Sequence, residues 1–267
     1  MADSNKKTKT DDNAGRVVTE TKGHVFLIGI DRPGKLNAFN PKILGELAEA
    51  YTAFEADPEL RCAVLHAVGD HFTAGMDLRE AEFKAELFPA GLVDPFDLRP
   101  PWREKPIVSA VHGICFTIGI ELSLATDMVI AAQDTRFSQL EVKRGLIAFG
   151  GATIRMVERA GWGNAMRYLL TGDEFDAETA LRLGFIQEIT APGDQLTRAV
   201  ELAESIAKLP PLAVKAMRLS SWTAVRQGPA AAVDQFQELV TSTTASEDFE
   251  EGVRSFLEKR EPIFTGR

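Results

Sequence analysis

Three short apolar runs without Asp, Glu, Lys or Arg divide the first half of the chain. They cover residues 62–68, 107–112 and 128–132, and each lies beside a segment whose apolar residues have helical spacing. Short β-rich runs of this kind are typical of strands that helices cover on both faces. The pattern therefore predicts an α/β fold. No run is followed by Gly-x-Gly-x-x-Gly, so a Rossmann domain is not predicted.

The N-terminal part predicts a hairpin and one well-defined helix. Residues 17–30 alternate in polarity and then run apolar, which indicates a β-hairpin. Asn40 is expected to cap a helix that begins at Pro41, a position where proline loses no hydrogen bond. The helix is expected to stop before Pro58.

The second half of the chain is predicted to be almost entirely helical. A final helix is expected to have Thr244 as its cap and Glu247 three residues later. Residues 186–189 are a weaker strand candidate. The other helices are predicted over residues 153–159, 165–170, 177–183, 195–208, 213–225 and 230–241.

Composition excludes several classes of function. The net charge of −9 argues against nucleic acid or an anionic membrane surface as a partner, although a local basic patch could still hold a small anion. Cys62 and Cys115 lie in apolar runs and are interpreted as buried thiols. No run has the length of a membrane span and the N-terminus has no apolar signal core, which predicts a cytoplasmic protein. The four histidines lack ligand spacing, so no metal site is predicted.

Two glutamates stand out from their surroundings. Glu121 lies in an apolar stretch, and Glu141 follows twenty positions later, just before a glycine-containing loop. Burying an unpaired carboxylate costs several kcal/mol, so such a residue is usually paired, neutralised or functional. Two carboxylates in one pocket could divide acid and base chemistry between them.

Two strand-to-helix turns offer backbone donors. The first, residues 70–79, contains Gly75 and is expected to open a helix that includes Phe83 and Lys84. The second, residues 113–119, leads into the helix that carries Glu121. Free N–H groups at a helix start suit a phosphate, a carboxylate or a developing oxyanion. The alternative interpretation is an ordinary turn with Asp77 placed near a helix start.

Five separated motifs resemble the crotonase family, in the order expected of it. They are Arg-Pro-Gly-Lys-Leu-Asn-Ala-Phe at 32–39, Phe-Thr-Ala-Gly-Met-Asp-Leu at 72–78, Gly-Ile-Glu-Leu at 119–122, Thr-Asp at 126–127 and Phe-Ser-Gln-Leu-Glu at 137–141. Residues 246–264 resemble the C-terminal signature of the same family. The resemblance covers residues 15–267, and its motifs are closest to those of the enoyl-CoA hydratases.

The resemblance implies an α/β crotonase-like fold of repeated ββα units, with two near-perpendicular sheets and a helical C-terminal trimerisation region. The expected division is a disordered polar tail at 1–15, a core at 16–200 and an oligomerisation region at 201–267. The implied assembly is a homotrimer or a dimer of trimers. The implied ligands are acyl-CoA thioesters, and no separate cofactor is expected because coenzyme A is part of the substrate.

The resemblance also assigns roles to residues. Glu121 and Glu141 match the two catalytic glutamates of the hydratases, and the backbone amides of Met76 and Ile118 match the oxyanion hole. Residues implied to bind substrate are Arg32, Lys35, Ala38, Ala74, Gly75, Asp77, Leu78, Gly119, Phe256 and Lys259. Among these, Arg32 or Lys35 would contact phosphate, and the last two would reach a pocket, sometimes in a neighbouring subunit.

The chain departs from the family pattern at Thr117 and Ile118, where many members carry glycines, and at Met76, where a small or aliphatic residue is common. The leading hypothesis is an enoyl-CoA hydratase. A double-bond isomerase, or another enolate reaction on a specialised acyl-CoA, stays open, although isomerases of this family generally need one carboxylate. A catalytically weak acyl-CoA-binding protein is the third alternative, and the altered glycine run motivates it.

Overall fold

The computed structural model describes residues 14–81 and 87–267. Residues 1–13 of the predicted tail at 1–15 lie outside the described residues. Phe83 and Lys84, which belong to the helix expected after Asp77, also lie outside them. The described residues form nine strands, which are β1 Arg16–Lys22, β2 Val25–Asp31, β3 Cys62–Ala67, β4 Ile107–Val111, β5 Ile114–Phe116, β6 Met128–Ala132, β7 Arg136–Ser138, β8 Phe175–Asp176 and β9 Glu188–Thr190.

Six of these strands form the main sheet, in the spatial order β1-β2-β3-β4-β6-β9. β1 and β2 form the predicted antiparallel hairpin, and every other neighbouring pair in this sheet is parallel. The carboxyl ends of β2, β3 and β4 therefore meet at one edge of the sheet. The loops that follow these three strands are brought together there, which is the common place for a ligand site in α/β proteins.

The described residues also form ten α-helices, some of which cover the main sheet. In the described residues they are α1 Pro41–Ala56, α2 Ile118–Ala125, α3 Ala152–Ala160, α4 Trp162–Leu169, α5 Ala177–Arg182, α6 Gln195–Ala207, α7 Pro211–Gln227, α8 Pro229–Asp234, α9 Phe236–Thr244 and α10 Glu247–Glu258. Helix α6 packs small residues such as Ala199 and Ala203 against Val64 and Val108 on one face of the sheet. Leu65 of the same β3 strand points into the larger core on the other face. The prediction of strands buried on both faces is confirmed.

Helix α1 forms as its sequence indicates. The side chain of Asn40 accepts a hydrogen bond from the Ile43 N–H (3.0 Å), and Pro41 occupies the first helical position. The helix ends at Ala56, immediately before Asp57-Pro58. Its cap leaves one fewer amide unsatisfied at the helix start.

The second sheet has the order β5-β7-β8; the family resemblance implied two sheets, but no pattern in the sequence predicted the strands of this one. β5 and β7 have three residues each and pair in parallel, and the two-residue β8 pairs antiparallel with β7. Strands this short contain too few residues for an alternating pattern to be recognised. The small sheet matters because β5 leads into the helix that carries Glu121, and β7 ends three residues before Glu141.

Two predictions about the C-terminal helices were wrong. The expected helix over 230–241 is divided, because α8 ends at Asp234 and α9 begins at Phe236. The cap of the last helix is Ser246, whose Oγ accepts from the Phe249 N–H (3.1 Å). Thr244 still belongs to α9, and its hydroxyl donates to Val240 O (2.8 Å). An apolar pattern shared by two successive helices does not mark the break between them.

The boundary expected between residues 200 and 201 falls inside α6, which packs on the main sheet. The helices that follow it, α7 to α10, form the C-terminal region. None of the helices in the described ranges is long and apolar enough to cross a membrane. The division into core and oligomerisation region stays a prediction.

Candidate active site

The two turns after β3 and β4 lie side by side. Thr73 forms a parallel bridge with Cys115. The Thr73 N–H donates to Ile114 O (2.9 Å), and the Phe116 N–H donates to Thr73 O (3.0 Å). The turns therefore run in the same direction and continue together past this bridge.

Gly75 and Thr117 approach each other closely at the next step. Gly75 has a φ of +112°, and a methyl group added to it would collide with Thr117 Oγ1. Only glycine can adopt this φ without strain and also leave room for Thr117 Oγ1. Thr117 itself has a φ of +51°, which is uncommon for a β-branched residue. This approach places the following amides, those of Met76 and Ile118, in adjacent turns.

The amides of Met76 and Ile118 are available to a ligand. Ile118 is the first residue of α2, so its N–H has no acceptor within the helix. Met76 forms a bridge with Phe39, in which the bonds are made by the neighbouring Gly75 O and Asp77 N (2.8 Å each). In residues 14–81 and 87–267, neither amide donates a backbone hydrogen bond. The Ile118 side chain is buried in the core.

Glu121 lies one turn inside α2 and is 5% exposed. Its Oε1 accepts hydrogen bonds from the N–H groups of Gly150 (2.7 Å) and Ala152 (3.3 Å). Ala152 is the first residue of α3, so the carboxylate caps the positive end of that helix. A methyl group on Gly150 would lie 2.6 Å from Glu121 Oε2, so this glycine is required for the close approach. The carboxylate is fixed on one side by backbone.

Glu141 begins a short 3₁₀ turn, Glu141–Arg144. Its Oε2 is buried and has no hydrogen-bond partner among the described residues. The strand before it is held to the second turn, because the Thr117 N–H donates to Ser138 O (2.9 Å). The side chains of Ser138 and Gln139, shortly before Glu141, are both buried.

The two glutamates act on each other electrostatically. Burial, followed by repulsion from the negative charge of Glu141, raises the pKa of Glu121 to about 7. The Ala152 and Gly150 hydrogen bonds and the charge of Arg155 oppose this rise in pKa. Burial raises the pKa of Glu141 to about 7 as well. Near neutral pH, such a pair can hold a proton on one carboxyl group and a charge on the other.

The resemblance implied Arg32 or Lys35 as a phosphate contact, and the Arg32 side chain faces protein partners. Its side chain is 1% exposed, and the guanidinium pairs with Asp77 (3.1 Å) and Glu80 (2.8 Å). It also donates to Ala38 O (2.9 Å). Arg32 therefore joins the loop after β2 to the loop after β3 from the protein side. The half-buried Lys35 is the better placed of the two for an anion.

Asn37 and Thr73 join the same loops, and the sequence did not single them out. The Asn37 amide donates to Val68 O (2.8 Å) and His71 O (2.7 Å). The Thr73 hydroxyl donates to Asn37 O (2.7 Å) and accepts from the Gly75 N–H (3.0 Å). These contacts fix the turn that presents the Met76 amide. The signal available in the sequence was the position of Asn37 and Thr73 inside the motifs at 32–39 and 72–78.

The remaining predicted residues are divided between two regions. Ala38, Ala74, Asp77 and Leu78 lie in the loops around Arg32, and Leu78 is 57% exposed. Gly119 lies in α2, where a methyl group would be 2.6 Å from Thr73 Cγ2.

Phe256 lies in α10 and Lys259 is the residue directly after this helix, both in the C-terminal region. Phe256 is 82% exposed and borders a cavity lined by α7 and α9 residues, among them Ala213 and Val240. Within one protomer, the structure therefore places Phe256 with the C-terminal helices rather than with the two turns.

Trp102 contacts the C-terminal helices. Its ring lies 5.0 Å from that of Trp222 in α7, measured between centroids, and the Arg226 guanidinium lies over both rings. The segment between β3 and β4 is therefore held by α7 at this point. In the described ranges, no group of three or more His, Cys, Asp or Glu residues could hold a metal ion.

Chemically, the site offers two backbone amides that have no backbone acceptor in the described residues and would suit a carbonyl oxygen, and two carboxyl groups whose pKa values are raised to about 7. Amides aimed at one position stabilise negative charge that develops on that oxygen. Carboxyl groups with pKa values near neutrality can donate or accept a proton. The arrangement is suited to chemistry next to an activated carbonyl group.

Comparisons with known proteins show the family and the fold of this chain. A family model described as enoyl-CoA hydratase/isomerase matches residues 20–267. A crystal structure of a probable enoyl-CoA hydratase/isomerase from Mycobacterium abscessus is 45% identical, with a TM-score of 0.91, covering 94% of this chain and 98% of that one. The predicted crotonase-like α/β fold is confirmed; trimerisation stays a prediction.

The names of two similar proteins state an activity. Enoyl-CoA hydratase EchA19 of Mycobacterium tuberculosis is 31% identical over 259 residues, covering 94% of this chain and 96% of the relative. Carnitinyl-CoA dehydratase of Proteus mirabilis is 34% identical over 260 residues, covering 92% and 97%. The similarity therefore extends over nearly the whole length of each protein.

Proposed function

Because the chain belongs to the enoyl-CoA hydratase/isomerase family, we propose that it is an enoyl-CoA hydratase. The reaction adds water across the 2,3-double bond of an acyl-CoA thioester. The observation that carries this proposal is the pair of electrostatically interacting glutamates, Glu121 and Glu141. The two neighbouring turns support it, because their Met76 and Ile118 amides have no backbone acceptor in the described residues. Members that only shift a double bond have less need of a second carboxyl group.

The Met76 and Ile118 amides would bind the thioester oxygen. When water adds at the β-carbon, negative charge moves through the α-carbon to this oxygen as an enolate. Two fixed donors stabilise the charged enolate oxygen more strongly than they stabilise the neutral carbonyl of the substrate. This difference in stabilisation is what accelerates the reaction. Removing one such donor typically costs about 10²–10³ in rate.

The two glutamates would position the water and move its protons. Glu121 would activate or orient the water, since backbone amides already fix one of its oxygens. Glu141, whose Oε2 is free of protein partners in the described residues, would hold the water and supply the proton for the α-carbon. The protonation state is a property of the pair rather than of either glutamate, because interacting carboxyl groups titrate together.

The substrate's coenzyme A would lie along the loops after β2 and β3. Lys35 would contact a phosphate, and Ala38, Ala74 and Leu78 would line the path to the Met76 amide. The protein would assemble as a homotrimer or a dimer of trimers. In that assembly Phe256 of α10 and Lys259, directly after this helix, would reach the substrate pocket of a neighbouring subunit.

Dehydration of a 3-hydroxyacyl-CoA is the same reaction run in the opposite direction. The relative named carnitinyl-CoA dehydratase favours testing it, since that name describes loss of water from a CoA ester. The same site residues would serve both directions. The equilibrium and the substrates present would decide which one dominates.

The test is a panel of enoyl-CoA thioesters, followed by the loss of double-bond absorbance, with solvent labelled by ¹⁸O. We expect the label in the 3-hydroxy product. We expect Glu121→Gln and Glu141→Gln to lower kcat by about 10²–10⁴, the usual contribution of a general acid or base. Glu174→Gln is the matched control, because Glu174 is exposed and pairs with Arg136 (2.5 Å). Product without ¹⁸O, or full turnover in either site variant, would contradict the hydratase proposal.

A further inference from the structure

Arg155 is a buried arginine close to Glu121 that the proposed reaction does not use. It lies in the first half of α3 and is 9% exposed. Its guanidinium donates to Gly150 O (3.4 Å), Phe96 O (2.5 Å) and Asp97 O (3.4 Å). All three acceptors are backbone carbonyls.

Gly150 is shared between Arg155 and Glu121. Its N–H donates to Glu121 Oε1 (2.7 Å), and its carbonyl accepts from Arg155. A methyl group on Gly150 would lie 2.5 Å from Phe96 Cζ and 2.6 Å from Glu121 Oε2. Gly150 is therefore held between the Phe96 ring and the carboxylate, and Arg155 holds the backbone of both Gly150 and Phe96.

Asp97, whose carbonyl also accepts from Arg155, is held in place by α7. The Asp97 carboxylate accepts from Arg218 (3.1 Å) and from the Trp222 indole (3.1 Å), and the Asp97 carbonyl also accepts from Arg226. Asp97 is 4% exposed and has a φ of +50°, so its backbone is tightly constrained. Arg155 therefore connects the backbone around Glu121 to a segment that α7 fixes in place.

We propose that Arg155 is a positioning residue for Glu121: by fixing the Gly150 and Phe96 carbonyls, it orients the Gly150 N–H that holds the carboxylate. The inference rests on the proposed function for its catalytic consequence, although the contact itself does not depend on any substrate. A guanidinium suits this role because its planar fork can bind carbonyls from two segments at once. A shift of a catalytic group by about 1 Å can cost about 10² in rate.

Arg155 also acts on Glu121 through its charge. Glu141 raises the pKa of Glu121, whereas Arg155 lowers it, and these are the two charged side chains that act on this carboxyl group most strongly. Burial lowers the pKa of Arg155 itself to about 10, so the guanidinium stays charged near neutral pH. Removing this charge is therefore expected to raise the pKa of Glu121.

The test compares Arg155→Met and Arg155→Lys with Arg159→Met. Arg159 lies one turn later in α3, is partly buried, and donates to Leu124 O (2.8 Å) and Phe185 O (3.4 Å), both backbone carbonyls. It is a matched control for the loss of a buried arginine without a contact to Gly150. The readouts are kcat and KM on the best enoyl-CoA, thermal unfolding, and an infrared titration of the protonated carboxyl band of Glu121, assigned with Glu121→Gln.

For Arg155→Met we expect kcat to fall by about 10²-fold with little change in KM, and the Glu121 titration to move to higher pH. Arg155→Lys keeps the positive charge but lacks the planar guanidinium. We therefore expect Glu121 to titrate as in the wild type and kcat to lie between the values of the wild type and Arg155→Met. Arg159→Met should lose thermal stability and keep the wild-type titration. If Arg155→Met also loses only stability, Arg155 is structural and the inference is wrong.

The infrared titration separates this inference from the proposed function. If the wild-type protein turns over no enoyl-CoA, the hydratase proposal fails, and the titration still shows whether Arg155 acts on Glu121. If Arg155→Met does not fold, Arg155→Lys alone decides. A wild-type kcat in that variant would overturn the positioning role, and a lowered kcat with a wild-type titration would support it.

Discussion

The surroundings of Glu121 and of Glu141 differ although burial raises the pKa of both carboxyl groups to about 7. Glu121 is fixed by two backbone amides at the start of α3, with a glycine and an aromatic ring packed against it. Glu141 lies in a 3₁₀ turn and keeps one buried oxygen without a partner in the described residues. One carboxyl group is held by the protein, and the other is free to bind a ligand or water.

The difference teaches how one fold can give two carboxyl groups separate tasks. A helix N-terminus stabilises the charged form of Glu121 against burial and the repulsion from Glu141. For Glu141, a hydrogen bond from its own backbone amide opposes the effect of burial, and no helix N-terminus in the described residues does so. A buried oxygen without a partner is costly, and such groups are found where a substrate or a water completes the hydrogen bonding.

The largest expected effect comes from disturbing the fixed side of this comparison. In Gly150→Ala the new methyl group would meet Glu121 Oε2 and Phe96 Cζ, so we expect kcat to fall by about 10²-fold. Gly45→Ala in α1 is the matched control, because a methyl group there contacts nothing within 4 Å. The control should gain about 0.5–1 kcal/mol of stability. Normal turnover in Gly150→Ala would show that Glu121 does not need its present position.

The second prediction uses the pH dependence of stability to compare the two carboxyl groups. A glutamate with a folded-state pKa of about 7 binds more protons folded than unfolded between pH 4.5 and 7. Stability therefore falls as pH rises through this window, and the cost is fully present above pH 7.

Glutamine removes this cost, so Glu141→Gln should be more stable than wild type at pH 8, by about 1–3 kcal/mol. Glu121→Gln should gain less, because it gives up charge-assisted bonds from Gly150 and Ala152. The free energy of unfolding of the wild type and of each variant is measured by urea unfolding at pH 5 and pH 8. An equal gain for both variants would contradict the difference in their surroundings.

A smaller effect is expected on the Glu141 side. The Ser138 hydroxyl donates to Gly172 O (2.9 Å) and helps hold the segment that leads to Glu141. Ser138→Ala should lower the free energy of unfolding by about 1 kcal/mol, with a modest fall in kcat. Ser205→Ala, which removes an exposed hydroxyl that donates to Glu201 O (2.9 Å), is the control. A loss of kcat as large as that of Gly150→Ala would show that Glu141 is as rigidly held as Glu121.

Much of the site could be predicted from the sequence because its parts are local. Glu121 is visible as a carboxylate in an apolar stretch, and Gly75 as a turn residue between a strand and a helix. The main sheet was visible because its central strands are long enough to show a pattern. The fold class followed from these strands and their neighbouring helices.

The parts that escaped prediction depend on contacts between distant segments. Arg155 and Phe96 are 59 positions apart, and Asn37 and His71 are 34 apart. β8 has only two residues, and its pairing with β7 is determined by packing rather than by its own pattern. The ion pairs of Arg32 were not visible in the sequence either, because Asp77 and Glu80 lie 45 and 48 positions away.

The most direct test is a crystal structure with a saturated acyl-CoA, which can bind but cannot be hydrated. We expect the thioester oxygen within hydrogen-bond distance of both the Met76 and the Ile118 N–H groups. We also expect one ordered water between the carboxyl groups of Glu121 and Glu141. A thioester oxygen that contacts neither amide, or carboxyl groups that share no solvent molecule in the complex, would contradict the account.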